Sequence, residues 1–324
     1  MQTPVIETIG LTKYFRTPRG LLHAVENVNI SINKGETLGV VGESGCGKTS
    51  LGRTIMRLND ATSGQVLLNG KNILDLKGSD KKRIYNDMQM IFQDPYSSLN
   101  PRMSVGQIID DPIRTMRKDI SKAQRDEKVR ELMDTVKLPE RYYNIYPHEL
   151  DGGRRQRVGL ARALALDPQF IVCDEPVSAL DVSIQAQILN LLMDLQEHKN
   201  LAYLFITHNL FVVKHISHRI LVMYMGQVVE YAKSSDLFAS PCHPYTKALL
   251  AAVPQPDLAM RNRERIVLRG EVTSPISPAP GCRFAPRCPY ATDACRNQNI
   301  PLVEVEAGHF CACTLFQKNT EKEA

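Results

Sequence analysis

The sequence predicts an α/β fold with a mostly parallel core sheet built around a phosphate-binding loop. Three observations carry that expectation. The stretch Gly42-Glu43-Ser44-Gly45-Cys46-Gly47-Lys48-Thr49 fits G-x-x-x-x-G-K-[ST]. It lies between Thr37-Leu38-Gly39-Val40-Val41, which reads as a short buried strand, and residues 51–58, which read as a helix. Farther on, apolar strands at 170–176 and 202–207 flank an amphipathic helix from 182 to about 198. Strands that alternate with helices in this way build a parallel sheet.

Taken in order, residues 5–15 alternate loosely and residues 23–32 alternate clearly, so both read as strands, with a turn at Asn33-Lys34-Gly35-Glu36. Antiparallel strands ahead of the phosphate-loop strand would make a small side sheet over a nucleotide base. Phe15 is the candidate to stack on adenine, with Tyr14 as the alternative. Residues 64–73 read as a hairpin turning at Asn69-Gly70. Residues 88–93 form an apolar strand that ends in Gln93, and Asp94-Pro95 breaks the chain into a loop. From 105 to about 138 the periodicity is helical, with Ser121 and Gln124 at capping-box spacing. Leu150-Asp151-Gly152-Gly153-Arg154 opens a helix that runs through Ala165. The strand at 170–176 delivers Asp174-Glu175, and the strand at 202–207 delivers His208. Residues 220–223 and 227–231 form a hairpin around Gly226.

Composition bounds the function. The 324 residues carry a net charge of +5, with 43% hydrophobic and 23% charged residues, which is ordinary for a globular chain with a sizeable core. The basic residues are scattered, so nothing argues for nucleic acid as a partner. No basic, then apolar leader opens the chain, and no apolar run approaches the roughly 18 residues of a membrane span. The expected location is cytosolic, with any membrane role arising through partners. After about residue 235 the chain changes character: ten of its nineteen prolines fall there, and the region reads as a separate, loop-rich element. Five of the eight cysteines (Cys282, Cys288, Cys295, Cys311 and Cys313) crowd into the last 43 residues. A cytosolic nucleotide-binding protein does not staple its tail with disulfides, so the cluster points to a metal or iron–sulfur site.

The chemistry begins at the loop. A strand, a glycine-rich turn and a helix N-terminus aim backbone N–H groups and a helix dipole at an anion. Gly42, Ser44, Gly45, Cys46, Gly47, Lys48, Thr49 and Ser50 are the candidate ATP-binding residues. Lys48 would reach the β- and γ-phosphates and Thr49 would ligate Mg²⁺. Asp174 suits a water-mediated Mg²⁺ contact, and Glu175 can polarise a water for attack on the γ-phosphate.

The full order is phosphate loop, Gln93, Gly152-Gly153 helix start, Asp174-Glu175, Ser178-Ala179-Leu180-Asp181, then His208. In this set and order, residues 5 to about 235 resemble the nucleotide-binding subunits of ATP-binding cassette transporters. The resemblance implies a RecA-like P-loop core with an antiparallel β subdomain and an α-helical subdomain, plus the loop-rich C-terminal extension. The expected division is 1–92 and 161–235 for the ATP-binding core, 93–160 for the helical and signature subdomain, and 236–324 for the extension. Gln93 resembles the glutamine that senses Mg²⁺ and contacts the membrane subunits, Asp181 the aspartate that communicates across a dimer, and His208 the switch histidine that holds the γ-phosphate. Lys48, Gln93, Glu175 and His208 are thus the implied catalytic set, and Thr49, Gln93 and Asp174 the Mg²⁺ set. The signature of Asp151, Gly152, Gly153 and Arg154 would face the ATP of a second subunit. The family usually has Leu-Ser-Gly-Gly-Gln there. Asp151 replaces a hydroxyl donor with a carboxylate, and at about 4 Å in an effective dielectric near 20 two unit charges repel by roughly 4 kcal/mol before compensation. Arg154 or Mg²⁺ would offset part of this. The expectation is an asymmetric heterodimer in which this signature completes a weak or non-hydrolysing site on the partner.

The tail narrows the resemblance. His243-Pro244-Tyr245-Thr246-Lys247-Ala248-Leu249-Leu250, Arg269-Gly270-Glu271-Val272-Thr273-Ser274-Pro275, Pro280-Gly281-Cys282-Arg283-Phe284 and Arg287-Cys288-Pro289 look like the extension of the oligopeptide/dipeptide (and nickel) importer ATPases, the F-type subunit preferred. That implies a second ATP-binding subunit, two integral-membrane permeases and an extracytoplasmic substrate-binding protein, with this chain peripheral on the cytoplasmic face of the membrane. Four thiolates suit a [4Fe–4S] cluster or Zn²⁺. Family likeness favours the cluster, held by Cys282, Cys288, Cys295 and Cys313, with Cys311 as substitute for the fourth. The competing reading is a soluble cassette ATPase of DNA repair or translation. Tandem cassettes, a long coiled coil or an inserted nucleic-acid module would mark it, and the chain has none of these.

Overall fold

Backbone hydrogen bonding and apolar period set the elements, which the computed structural model describes for residues 3–252 and 274–317. The chain begins β1 (Ile6–Thr17), β2 (Gly20–Ile32), β3 (Thr37–Val41), α1 (Lys48–Ile55), β4 (Ser63–Leu68) and β5 (Lys71–Asn72). It continues α2 (Gly78–Asp87), β6 (Met88–Ile91), α3 (Pro95–Ser98), α4 (Val105–Met116), α5 (Lys122–Thr135) and α6 (Gly152–Leu164). Then come β7 (Phe170–Asp174), α7 (Val182–Lys199), β8 (Ala202–Ile206), α8 (Leu210–Ile216), β9 (Arg219–Tyr224) and β10 (Gln227–Lys233). The extension adds α9 (Ser234–Ala239), α10 (Pro244–Ala251), α11 (Asp293–Asn297), β11 (Val303–Glu306), β12 (His309–Cys311) and α12 (Thr314–Gln317).

The chain folds into two compact units, each threaded from separate segments. One unit comprises Met1–Glu7, Ser31–Thr37 and Val66–Ile206. Its sheet holds β6, β7 and β8, all parallel, with Met88 opposite Phe170 and Phe170 opposite Ala202. Every residue of β7 and β8 is buried, as a strand covered on both faces requires. The turn at Asn69-Gly70 closes the β4–β5 hairpin, both residues at positive φ. The helical segment holds α4 and α5, and each starts at a full capping box, Ser104 with Gln107 and Ser121 with Gln124. Each box satisfies orphan N–H groups of the first turn. Gly106 lets α4 approach Tyr143, whose ring lies 2.6 Å from where a Cβ would stand. Helix α7 buries Ile188, Leu189, Leu191, Leu192 and Leu195.

The other unit comprises Thr8–Ile30, Leu38–Gln65 and Thr207–Ala324. Strand β3 pairs in parallel with β9, and β9 turns through Met225 and Gly226, both at positive φ, into antiparallel β10. Strand β12 then pairs with the free edge of β10, and β11 with β12. The extension therefore widens the sheet that carries the phosphate loop. Its core joins Val41, Val213, Val222, Tyr224, Tyr245 and Phe284, with Tyr224 packed edge-on against both other rings.

Three departures from the expected elements have local causes. Helix α1 begins at Lys48, not 51, because the phosphate loop itself supplies the first turn. Helix α2 carries only one buried residue, Ile84, so its sequence shows no apolar stripe. The extension contains helices and two sheet strands as well as loop, and its prolines do not forbid helix: Pro244 stands at the first position of α10, where a missing N–H costs nothing. Of the expected 269–275 motif, residues 269–273 lie outside the described residues.

Candidate functional site

The phosphate loop is set by three glycines at positive φ: Gly42 (152°), Gly45 (77°) and Gly47 (106°). A Cβ at Gly42 would stand 2.2 Å from Met223 O, and one at Gly47 2.0 Å from Ala24 O, so neither position accepts a side chain. A Cβ at Gly45 would meet nothing within 4 Å, which leaves open space over the middle of the loop. Lys48 is buried and donates to its own loop, at 2.8 Å to Gly42 O and 2.9 Å to Glu43 O. Cys46 is buried beneath, and burial pushes its thiol up against the opposing pull of Lys48. Thr49 and Ser50 lie in the first turn of α1. Ser44 is exposed at the loop's crest.

Contacts from far along the chain hold this loop. The N–H of Glu43 donates to Tyr245 Oη at 2.8 Å, and Gly226 N donates to Cys46 O at 2.7 Å. The Glu43 carboxylate takes a two-pronged pair from Arg287, at 2.8 and 3.1 Å. On β1 the two aromatic candidates differ. Tyr14 stacks on His23 with centroids 3.9 Å apart and hydrogen-bonds Glu26, so it is committed to packing between β1 and β2. Burial and the Glu26 bond push its hydroxyl up to about 12. Phe15 is half-buried, with Lys13 Nζ 4.6 Å from its ring centroid. Glu26 also pairs with Arg283 at 2.7 Å; burial raises its carboxyl, but bonds from Tyr14, His23 and Arg283 outweigh that and leave it low. His208 is exposed after β8, just ahead of Asn209, whose side chain caps α8.

In the other unit, Gln93 and Glu175 meet directly: Gln93 Nε2 donates to Glu175 Oε2 at 3.0 Å. Glu175 stands at positive φ (46°) one residue beyond β7, and its N–H donates to Ile206 O at 2.9 Å. Asp174 is the last residue of β7 and is buried. The signature forms the start of α6. Asp151 is its N-cap, accepting from Arg154 N at 2.8 Å, and its other oxygen pairs with the Arg154 guanidinium. Arg154 also lies 4.9 Å from the Tyr142 ring centroid. The Asp151 charge is therefore partly neutralised within its own helix turn. A Cβ at Gly153 would stand 2.8 Å from Ile184, and one at Gly152 3.1 Å from Leu180, so the glycine pair lets α6 press on the start of α7. Asp181 is the exposed N-cap residue of α7.

Cys282, Cys288, Cys295 and Cys313 line one mostly apolar cavity with Phe284, Tyr290 and Ile300. Cys311, the substitute candidate, does not line it; it is fully buried with Cys242, opposite Glu230 on β10. Among the described residues, no three of the four cavity sulfurs come within 4.8 Å of one another. Burial holds the Cys282 thiol up at about 11 and raises Cys288 and Cys313 as well. Cys295 goes the other way: burial would raise it, but the hydroxyls of Thr292 (3.4 Å) and Thr314 (3.2 Å) outweigh that.

Sequence reasoning missed the polar residues that fasten the extension. Glu230 is wholly buried and accepts from Cys242 N (2.7 Å), His243 N (2.9 Å) and His309 Nε2 (2.8 Å). A lone glutamate in a strand carries no local mark of such a role, and neither do Arg283 and Arg287.

Two family models match the chain. Residues 25–178 match the family model described as ABC transporter, and residues 229–295 match the oligopeptide/dipeptide transporter C-terminal region. The oligopeptide transport ATP-binding protein AppF of Bacillus subtilis is 47% identical, covering 97% of this chain and 98% of its own. A Sinorhizobium fredii protein named a probable peptide ABC transporter ATP-binding protein is 50% identical over 97% of this chain and 90% of its own. The solved dimer of the ATP-binding cassette MJ0796, bound to ADP and phosphate, superposes with a TM-score of 0.65 at 30% identity, over 71% of this chain and 98% of that one.

Proposed function

We propose a function for a chain that belongs to the ATP-binding family of ABC peptide transporters: it binds and hydrolyses ATP to energise peptide import. The observation that carries this is the joint match of a cassette and a peptide-transporter C-terminal region in one chain, over nearly the whole length of relatives named for peptide or oligopeptide transport. The phosphate loop supplies N–H groups and Lys48 to the triphosphate, and Thr49 and Asp174 supply oxygens to Mg²⁺. The Lys48 bonds to Gly42 O and Glu43 O keep a buried ammonium satisfied until phosphate oxygens replace them. Glu175 acts as general base, its carboxylate already oriented by Gln93. His208 holds the γ-phosphate, Phe15 stacks on the base, and Asp181 communicates across the dimer.

The partner is a second, non-identical ATP-binding subunit, and the pair works on two membrane permeases served by a substrate-binding protein. No helix among the described residues is long and apolar enough to cross a membrane. We place the chain on the cytoplasmic face, docked to the permeases. Asp151, Gly152, Gly153 and Arg154 face the partner's ATP, where the carboxylate makes a weaker lid than a serine. The boundaries 1–92, 93–160, 161–235 and 236–324 mark functional parts of the chain.

For the four-cysteine cavity we infer a [4Fe–4S] cluster rather than Zn²⁺, supported by the four cysteines that line it. A tetrahedral Zn–S site with bonds of about 2.3 Å needs all four sulfurs only about 3.8 Å apart, whereas no three of these lie within 4.8 Å of one another. A cluster supplies a wider set of thiolate-binding irons. Cys282, Cys288, Cys295 and Cys313 would hold it as a structural staple for the extension, with Thr292 and Thr314 favouring the Cys295 thiolate.

Co-expression with the two proposed permeases tests the function. Membranes should show ATPase activity that Glu175→Gln abolishes while ATP still binds and holds the subunits closed. Stimulation by nucleic acid, with none by permeases, would sink the reading.

A further inference from the structure

We propose that Arg287, in the C-terminal extension, is a positioning residue for the phosphate loop: it neutralises Glu43 and so sets the affinity of the loop for nucleotide. The inference rests on the ATPase reading above. Glu43 is the second residue of a loop built to receive a polyanion, and an acid there opposes the ligand. Its side chain is 24% exposed, so water screens it only in part. Arg287 answers it with a two-pronged pair at 2.8 and 3.1 Å from a side chain that is 6% exposed. A fork of this kind fixes direction as well as charge.

The placement of Arg287 is built in. It ends a short 3-10 turn, Ala285–Arg287, that runs between Cys282 and Cys288. Ala285 N donates to Cys282 O at 2.9 Å, and Arg287 N donates to Phe284 O at 2.9 Å. Phe284 is 1% exposed and locked among Tyr224 and Tyr245. Arg287 Nη1 also donates to Tyr224 Oη at 3.3 Å. Tyr245 Oη accepts from Glu43 N at 2.8 Å, so backbone and side chain of the same loop residue are held by the extension. Glu43 then presents a fixed, compensated group to the incoming phosphates.

Isothermal titration with Mg·ADP, which is not hydrolysed, tests this on the full chain. Arg287→Gln bares the Glu43 carboxylate and should weaken binding about tenfold, close to 1.4 kcal/mol. Glu43→Gln should bind as tightly as wild type or tighter, and the double variant Glu43→Gln/Arg287→Gln should recover to within about threefold of wild type. A merely structural contact predicts the opposite pattern, with both single variants weakened and no recovery in the double. Arg287→Lys keeps the charge and loses the fork; it should stay within about threefold, and it carries the test if Arg287→Gln does not fold. Wild-type affinity in Arg287→Gln, no recovery in the double variant, or a tenfold loss in Arg287→Lys would overturn the inference. Failure of the wild type to bind Mg·ADP at all would instead overturn the ATPase reading, and the inference with it.

Discussion

Replacing Glu230 by glutamine should loosen the extension from the sheet, and the size of the effect follows from its hydrogen bonds. Oε1 accepts from Cys242 N and His309 Nε2, and Oε2 accepts from His243 N. Glutamine keeps one oxygen. With that oxygen in the Oε1 position, its amide N–H₂ confronts the His243 N–H, donor against donor, in a site with no exposure. A buried donor left without an acceptor costs about 1–3 kcal/mol, and the two remaining bonds lose their charge assistance. Relief from burying a carboxylate offsets part of this. The expected net loss is about 2 kcal/mol for Glu230→Gln and about 4 kcal/mol for Glu230→Ala, which strands all three donors. The chain has no tryptophan, so urea unfolding is best followed by circular dichroism, with hydrogen exchange at the Cys242 and His243 amides as the local readout. A Glu230→Gln midpoint equal to wild type, with those two amides still slow to exchange, would refute the reasoning.

Other outcomes follow from the same geometry. Asp151→Ser keeps the N-cap and removes a carboxylate that Arg154 only partly neutralises, so ATPase activity of the assembled transporter should stay near normal or rise; a large fall would remove the asymmetric-site proposal. Cys313→Ser should cost the anaerobically purified protein its iron and sulfide, whereas Cys311→Ser should retain both; equal retention in the two would exclude the four-cysteine assignment. Stability should fall on both sides of about pH 6.5. Burial lowers His243 to about 4, so below about 6.5 the unfolded chain takes up a proton that the folded one refuses, and stability drops by about 1.4 kcal/mol per pH unit down to about 4. His309 is raised, chiefly by its bond to Glu230, so its contribution is complete below about 6.5 and fades as pH climbs through the raised value. His243→Asn keeps an acceptor for Tyr245 N and should flatten the acid limb alone; Glu230→Gln should flatten the alkaline one.

Local chemistry made much of this chain legible before any coordinates. The phosphate loop needs glycine wherever a Cβ would strike Met223 O or Ala24 O, and such glycines leave a fixed pattern in sequence. Strands β7 and β8 are buried on both faces, so they appear as unbroken apolar runs. The α5 capping box declares itself because both partners lie within four residues. What stayed hidden is polar and distant. Glu43 meets Tyr245 across 202 positions and Arg287 across 244, and Arg283 meets Glu26 across 257. Glu230 sits in a short strand where a single acid ordinarily faces water. No period or spacing marks such pairs, because the sheet and the core, and not the neighbouring residues, bring them together.

That distance bears on when the nucleotide site matures. The unit that holds the phosphate loop gathers Thr8–Ile30, Leu38–Gln65 and Thr207–Ala324, so its contacts close only when the extension is present. Closing long loops delays the contacts that reward them. During synthesis the loop's own turn, α1 and the Lys48 bonds to Gly42 O and Glu43 O are local and can form early. The Tyr245 hydroxyl and the Arg287 fork arrive last. Until then Glu43 is a bare acid at the mouth of an anion site, and after them it is a compensated anchor. The extension therefore does more for this cassette than append a cysteine cavity to it: by way of the 3-10 turn between Cys282 and Cys288, it completes the electrostatics of a loop laid down some 240 residues earlier.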